Sequence, residues 1–481
     1  MPDIEVALLD ADARLLVNAP HIPVHLGSLG VCTRLVREAI AMGPGDIVIT
    51  NHPRYGGSHL PDITLLCAVY TDAGELIGYA VNRAHHAEIG GKRPGSMPPD
   101  ATSLAEEGVV FPPMYLVKDG ELQWAAIEDQ LRNAPFPTRA LSDNLADLNA
   151  ALASLRAGAE ALRKLAAEHG LEQVRYYMNA LQDQACAALD EALAPWRGRR
   201  VEAREQLDDD SQICVALEIG ANDVLIDFTG SSMVHARNLN ANIAIVYSAV
   251  IYVLRLLCQK EIPLNEGLMR KVQVVLPDNS LLHPHFSDDP RLCPAVVGGN
   301  TEVSQRLVDT LIKALGLAAC SQGTMNNFLF GNDRFGYYET IGGGSGAGPG
   351  FNGRSAVHQH MTNTRITDPE DLEWRYPARL LRFAIRHGSG GAGQWQGGDG
   401  IVRVFEFLEN VEMTLLSQHR QIAPYGMAGG SPGKTGRQYL VTHKGYIVPL
   451  NGADSRNLKA GDCVVIETPG GGGWGDKADT P

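Results

Sequence analysis

The alternation of apolar and polar residues predicts secondary structure along most of the chain. In the N-terminal part, the spacing predicts strands at residues 5–9, 14–18 and 46–50 and a helix at 29–42. Two longer apolar runs, 63–70 and 76–81, flank a turn that contains Gly74, which is the pattern of a β-hairpin. Residues 1–135 are therefore predicted to form a mixed β region.

The clearest helical pattern covers residues 142–196. Apolar residues recur there at intervals of three and four, namely Leu145, Leu148, Leu152, Leu155, Ala159, Leu162 and Leu165. Gly170 interrupts the pattern, and Pro195 ends it. The region 136–200 is therefore predicted to be an antiparallel helical pair, whose apolar stripe belongs to the core or to a subunit interface.

Strand and helix patterns alternate in residues 201–335, and short strands between glycines dominate 336–481. The predicted elements are strands at 212–219, 224–228 and 272–276 and buried helices at 243–257 and 302–317. The Gly-rich stretch 342–350 does not open a helix, so it predicts close backbone packing rather than a nucleotide loop. The fold class expected is mixed α/β (α+β), strand-rich and multi-layered, with the helical pair inserted.

Two polar clusters lie at the ends of the predicted hairpin. His59 and Asp62 precede the first strand, and the run from Arg83 to Glu88 follows the second. A hairpin brings His59, Asp62 and either His85 or His86 together, and two imidazoles with a carboxylate suit a divalent first-row metal. The alternative is that these are solvated loop histidines.

The direction of side chains along a strand separates the two adjacent histidines. In an extended segment, His85 and Ala87 point to one side, and His86 and Glu88 point to the other. A turn at residues 84–87 would instead bring both histidines inward. The extended arrangement is the favoured interpretation.

Several spaced motifs resemble one family nearly from end to end. They are GGSHLPD at 56–62, NRAHHAEIGG at 82–91, VVGGNTEVSQR at 296–306 and SQGTMNN at 321–327. They resemble the hydantoinase B/5-oxoprolinase family, which includes subunits of ATP-dependent hydantoinases, oxoprolinases and caprolactamase and is related to subunits of acetone and acetophenone carboxylases. Family members usually begin some tens of residues before the strand at 5–9, which leaves open whether another chain supplies that segment.

The resemblance implies one divalent metal ion, and zinc, manganese and iron are all compatible with two nitrogens and a carboxylate oxygen. It assigns His59, Asp62 and His85 as ligands and Asp3 as a weaker fourth candidate. His86 and Glu88 become candidates for general acid–base catalysis or for hydrogen bonding to the ligands. His25 is expected to be a solvated loop histidine, with a position in the site as the alternative.

The resemblance also implies a function. It describes the metal-containing B subunit of an ATP-dependent cyclic-amide hydrolase, whose substrate is phosphorylated by a hydantoinase A-like ATPase partner that binds ATP and magnesium. No G-x-x-x-x-G-K-[ST] motif occurs in the chain, which agrees with this division. The alternatives are a subunit of an ATP-dependent ketone carboxylase and a non-catalytic scaffold for the ATPase.

Composition narrows the remaining classes. The 481 residues carry a net charge of −14, which disfavours binding to nucleic acids and to anionic membranes. Eight cysteines without a C-x-x-C pair indicate small buried hydrophobic residues rather than disulfides. Neither a signal peptide nor an apolar run of roughly 18 residues is visible, so the cytoplasm is the expected compartment.

Overall fold

The computed structural model describes residues 4–19 and 22–476. Within these residues the strands form four sheets, and helices cover or connect them. The helices are α1 (Ser28–Ala39), α2 (Leu104–Glu107), α3 (Trp124–Asn133), α4 (Leu141–His169), α5 (Leu171–Ala192), α6 (Ile243–Leu257), α7 (Ser304–Leu315) and α8 (Pro369–Arg375). The predicted mixed α/β, strand-rich fold is confirmed.

The first sheet carries the predicted hairpin. Its strands are β1 (Ile4–Leu9), β2 (Leu15–Ala19), β3 (Ile47–Thr50), β4 (Asp62–Tyr70), β5 (Leu76–His85), β6 (Met114–Lys118) and β7 (Glu121–Leu122), in the antiparallel order β2-β1-β5-β4-β3-β6-β7. Strand β5 continues four residues beyond its prediction, because its polar residues Asn82, Arg83 and His85 keep pairing with β4.

Both faces of this sheet are buried, which explains the continuous apolar runs of β4 and β5. Leu66 and Ala68 pack on the α1 side, whereas Leu65, Cys67 and Val69 pack on the α4 side. Alternate residues of one strand thus belong to two cores. The sheet therefore lies between α1 on one face and α4 on the other.

The predicted helical region is confirmed as α4 and α5, joined through Gly170. The apolar stripe of α4 packs against the first sheet from Leu145 to Leu162, so this part is core, whereas Leu165 at its end is exposed. Helix α5 starts in that core with Val174 and Met178, then enters the next core with Ala185 and Leu189. Helix α5 therefore connects two cores.

The second sheet lies beside α6 and α7. Its strands are β8 (Arg199–Gln206), β9 (Gln212–Ile219), β10 (Val224–Asp227) and β11 (Val272–Val275), and β10 and β11 run parallel. Helix α6 matches its prediction. The helix predicted at 302–317 begins instead as a π-helical segment, Gly299–Val303, that continues into α7. Such segments are rare and occur often at functional sites.

The C-terminal strands form two further sheets. They are β12 (Asn327–Gly331), β13 (Gly336–Thr340), β14 (Ala378–Arg386), β15 (Gly400–Phe407), β16 (Val411–Leu416), β17 (Arg437–Val441), β18 (Ile447–Leu450), β19 (Ala453–Leu458) and β20 (Cys463–Glu467). Their orders are β13-β12-β16-β19 and β14-β15-β20-β17-β18. None of the helices in the described ranges combines the length and apolar character that crossing a membrane requires.

Glycines let the C-terminal loops pack backbone against backbone. A Cβ atom at Gly344 would lie 1.9 Å from the carbonyl oxygen of Gly398, and one at Gly471 would lie 2.0 Å from that of Ser345. These contacts agree with the predicted close packing.

The predicted division into four regions at 135, 200 and 335 stays a prediction. The hydrophobic cores cross those positions, because Val24 packs in the core of the second sheet and Val296 packs in the core of the first.

Candidate metal centre

The register of the hairpin places two of the candidate ligands opposite each other. Asp62, the first residue of β4, pairs with His85, the last residue of β5. His59 lies one turn earlier, where its carbonyl oxygen accepts a hydrogen bond from the Asp62 N–H at 3.0 Å. The preceding loop folds tightly, since a Cβ atom at Gly57 would lie 2.1 Å from the carbonyl oxygen of Asn51.

The three side chains converge. His59 Nε2 lies 3.0 Å from Asp62 Oδ2, and His85 Nδ1 lies 3.0 Å from Asp62 Oδ1. One ligand atom from each residue lies within 4.8 Å of the others. The two imidazole rings stack at 5.2 Å, and only His85 is partly exposed.

His25 joins this cluster, so the expectation of a solvated loop histidine is wrong. Its Nε2 lies 2.9 Å from Asp62 Oδ2, and its Nδ1 lies 3.3 Å from Glu5 Oε2. His25 ends a 3₁₀ turn, Pro23–His25, whose Val24 packs into the core beside α6, and this packing buries the imidazole. The Ser58 hydroxyl donates a further hydrogen bond to Asp62 Oδ2 at 2.7 Å.

The charges around Asp62 favour its ionised form. Burial raises the pKa of this carboxyl, but His59 and His25 outweigh that effect and hold the pKa well below its usual range. Burial lowers the pKa of His59. Burial also lowers the pKa of His25, but the carboxylates of Asp62 and Glu5 outweigh burial and raise the pKa to about 9. An ionised carboxylate beside a neutral imidazole is the protonation state that a metal ion requires.

A buried arginine supports the cluster from below. Arg83 on β5 donates to Thr64 Oγ1 at 2.8 Å, to Ser28 Oγ at 2.7 Å and to the carbonyl oxygen of Gly56 at 2.9 Å. Its Nη1 also reaches Ser58 Oγ at 3.3 Å, and Ser58 is hydrogen-bonded to Asp62. One side chain therefore links the hairpin, α1 and the ligand loop.

The cluster opens into a cavity of about 200 Å³. Segments from distant parts of the chain complete its lining: Glu5, Ile22, Val24, His25, His59, Asp62, His85, Asn300, Met325, Tyr338, Glu339, Thr340, Thr364 and Arg365. The Tyr338 ring of β13 stacks on His85 at 5.8 Å. Glu339 is fixed by Arg403 at 3.1 Å and by the Tyr337 hydroxyl at 2.8 Å.

His86 and Glu88 do not line this cavity. His86 is buried against α4, with Nδ1 3.2 Å from Asn144 Nδ2. Burial, with a smaller effect of His85, lowers the pKa of His86 to about 3. The Glu88 carboxylate accepts hydrogen bonds from the N–H groups of Gly90 at 2.6 Å and Gly95 at 3.1 Å. The acid–base role predicted for these two residues lacks a geometric basis here.

Strand geometry therefore separates the adjacent histidines as the extended arrangement predicts, with His85 at the cavity and His86 against α4. Asp3, the fourth ligand candidate, lies outside the described residues. The sequence-based set missed Glu5 and the C-terminal part of the lining, and it gave a position in the site for His25 only as the alternative.

The three converging side chains fit a divalent ion. They offer two imidazole nitrogens and a carboxylate oxygen, which zinc, manganese and iron all accept. His59 Nδ1 is buried and has no hydrogen-bond partner among the described residues. The cavity beside them leaves room for further ligands of an ion.

Comparison with known proteins identifies the family. The model of the hydantoinase B/oxoprolinase family matches residues 1–477. The chain belongs to this family. The resemblance inferred from the motifs is confirmed.

Relatives that are similar over nearly the whole chain include 5-oxoprolinases. The chain is 42% identical to 5-oxoprolinase 1 of Arabidopsis thaliana over 98% of its own length and 39% of that protein. The chain spans about two fifths of the length of the 5-oxoprolinases it matches.

Two solved structures share the fold. The ATP-dependent caprolactamase of Pseudomonas jessenii superimposes with a TM-score of 0.85 at 26% identity, covering 98% of this chain and 85% of that one. An acetone carboxylase superimposes with a TM-score of 0.82 at 17% identity, covering 98% and 71%. The second comparison shows the fold alone.

Proposed function

We propose that this chain is the metal-bearing B-type component of an ATP-dependent cyclic-amide hydrolase. The observation that carries the proposal is the convergence of His59, Asp62 and His85 at a cavity. Its similarity to 5-oxoprolinases and to a caprolactamase gives the reaction class. A hydantoinase A-like partner supplies ATP binding and phosphorylates the substrate.

Amide resonance explains why such a reaction consumes ATP. The partial double bond makes a ring carbonyl carbon a poor electrophile, and phosphorylation of the amide oxygen removes that resistance. The net reaction consumes one ATP and two waters and opens the ring C–N bond, releasing an amino acid, ADP and phosphate.

The residues of this chain hold and orient the reacting groups. His59, Asp62 and His85 would bind a divalent ion, which would supply Lewis-acid polarisation of a carbonyl or phosphoryl oxygen. His25 and Ser58 fix the Asp62 carboxylate through hydrogen bonds, so its oxygens keep their direction when substrate enters. Ile22, Val24 and Met325 make part of the lining apolar, which limits water around the ring.

The cavity volume favours a small substrate. A cavity of about 200 Å³ lies below the range of roughly 300–1,000 Å³ that is typical of small-molecule sites, so it suits a single small ring better than a peptide. This agrees with a cyclic amide as substrate.

Co-expression with a hydantoinase A-like ATPase tests the proposal. We expect ADP release that depends on 5-oxoproline, a hydantoin or caprolactam, and that Asp62→Ala abolishes. ATP consumption with acetone and bicarbonate alone would instead establish the ketone carboxylase. Full activity of the Asp62→Ala complex would leave this chain as a scaffold.

A further inference from the structure

The charged side chains that line the cavity differ in whether they have an oppositely charged partner. Asp62 is surrounded by histidines, and Glu339 is paired with the buried Arg403. Arg365 lines the same cavity, is exposed, and forms no ion pair with any residue in 4–19 or 22–476. Because a guanidinium stays protonated and offers five donors, the cavity has a cation with no counter-ion in the described part of the chain.

The segment that carries Arg365 is anchored at the cavity. The Thr364 hydroxyl is hydrogen-bonded to that of Thr340, a buried residue at the end of β13. Both threonines line the cavity with Arg365. A guanidinium beside two hydroxyls is a typical environment for a carboxylate or a phosphoryl group.

The two walls of the cavity thus offer different chemistry. His59, Asp62 and His85 lie on the first sheet, whereas Thr340 and Arg365 belong to the C-terminal part of the chain. A substrate held at both walls would be bound at two points, which fixes the orientation of its ring.

We propose that Arg365 determines substrate specificity by binding an anionic group of the cyclic amide. This inference rests on the proposed hydrolase function. The anion is either a carboxylate on the ring or the phosphoryl group that activation places on the amide oxygen. If the anion is a ring carboxylate, the substrate class narrows to cyclic amides that carry one, and if it is the phosphoryl group, Arg365 selects the activated form of the substrate.

Equilibrium binding to the full chain tests this without turnover. Titration calorimetry would compare 5-oxoproline with 2-pyrrolidinone, which is the same ring without the carboxylate, and with inorganic phosphate. EDTA in the buffer removes any contribution of a metal ion to carboxylate binding. The variants are Arg365→Gln and, as a control, Arg354→Gln, which replaces an exposed arginine that has no ion pair in the described ranges and does not line the cavity.

We expect 5-oxoproline to bind at least about tenfold tighter than 2-pyrrolidinone, since hydrogen bonds to charged groups are the stronger ones. Arg365→Gln removes that ratio, and Arg354→Gln keeps it. If Arg365→Gln weakens phosphate binding tenfold and leaves the ratio, the anion is the phosphoryl group.

An Arg365→Gln protein in which neither the ratio nor the affinity for phosphate changes by more than about twofold overturns the inference. The outcome is independent of the hydrolase assay. A complex that hydrolyses lactams without this selectivity retains the proposed function and loses the role of Arg365, whereas selective binding without hydrolysis contradicts the function alone.

Discussion

Asp62 connects most of the residues at the candidate metal centre. One of its oxygens contacts His25, His59 and Ser58, and the other contacts His85. Removing this carboxylate therefore removes a ligand and the hydrogen bonds that orient two others. A buried carboxylate is costly unless its hydrogen-bond partners stay in place, so the stability of this cluster depends on all of them together.

The adjacent histidines provide a matched test of the ligand set. We expect about one divalent ion per chain in the purified protein, little or none in His59→Ala, Asp62→Ala and His85→Ala, and nearly full occupancy in His86→Ala, because the His86 imidazole faces α4. Metal content would be measured by plasma mass spectrometry, with circular dichroism to verify folding. A metal-free His86→Ala protein beside a loaded His85→Ala protein would reverse the assignment.

His52 gives a prediction about pH. Burial, together with the charge of Arg54, lowers the pKa of this imidazole to about 4. Between pH 6.5 and 4 the unfolded chain binds a proton there that the folded protein does not, so the free energy of unfolding falls on acidification, by up to about 3 kcal/mol from this group.

The variant His52→Asn isolates that contribution. His52 Nδ1 accepts a hydrogen bond from the backbone N–H of Arg54 at 3.1 Å. An asparagine side chain can accept the same hydrogen bond but does not titrate. Urea denaturation at pH 7.0, 5.5 and 4.5 should show a smaller loss of stability in the variant than in the parent. Equal losses would show that folding does not lower the pKa of His52.

At the scale of single residues, sequence patterns identified the residues near strand ends and missed those placed by packing. His59, Asp62 and His85 are predictable because the hairpin register is set by apolar periodicity and a glycine turn. His25 is not, because nothing in a proline-flanked loop shows that residues 22–25 will fold under α6. Glu5 also gives no signal, since a glutamate in a strand normally faces water.

At the scale of elements, α4 shows what the apolar stripe contributes. Leu155 is fully buried against the first sheet, and Leu165 on the same helix is 45% exposed. We expect Leu155→Ala to lower the free energy of unfolding by about 2–5 kcal/mol and Leu165→Ala to lower it by less than about 1 kcal/mol. Urea denaturation of the two variants measures the difference. Equal effects would mean that the stripe is not core.

The elements with long, uninterrupted periodicity were predicted best. The bounds predicted for α6 match, because its apolar run and its flanking residues leave no ambiguity. The C-terminal extension of β5 and the π-helical segment Gly299–Val303 were missed. The extension of β5 is polar, and a strand whose polar side chains form hydrogen bonds lacks the apolar alternation by which strands are recognised. A π-helical turn has no periodic pattern of its own.

At the scale of the whole molecule, the cavity depends on contacts that local patterns do not encode. Asn300, Tyr338 and Arg365 reach the metal-centre residues only because the sheets pack together. Motif resemblance carried the family assignment, but it did not indicate which C-terminal side chains face the cavity. That part of the site needed the three-dimensional structure.

The final prediction concerns the division of labour between chains. Whole 5-oxoprolinases are more than twice as long as this chain. In its glycine-rich loops the backbone N–H groups of Gly344, Gly398 and Gly471 donate to carbonyl oxygens and are not available to phosphates. We therefore expect the purified chain alone to show no substrate-dependent ATP hydrolysis. Addition of a hydantoinase A-like ATPase should restore it, and the two chains should co-elute in size-exclusion chromatography.

The variant Asp62→Ala separates assembly from chemistry in this experiment. Asp62 is buried at the end of the first sheet, where it lines the cavity. Because it does not lie on the outer surface, its loss should leave co-elution intact while abolishing lactam hydrolysis. Coupled measurement of ADP and of the ring-opened amino acid reports both activities. ATP hydrolysis by this chain alone, stimulated by 5-oxoproline, would refute the proposed partition, because it would place the nucleotide site within these 481 residues.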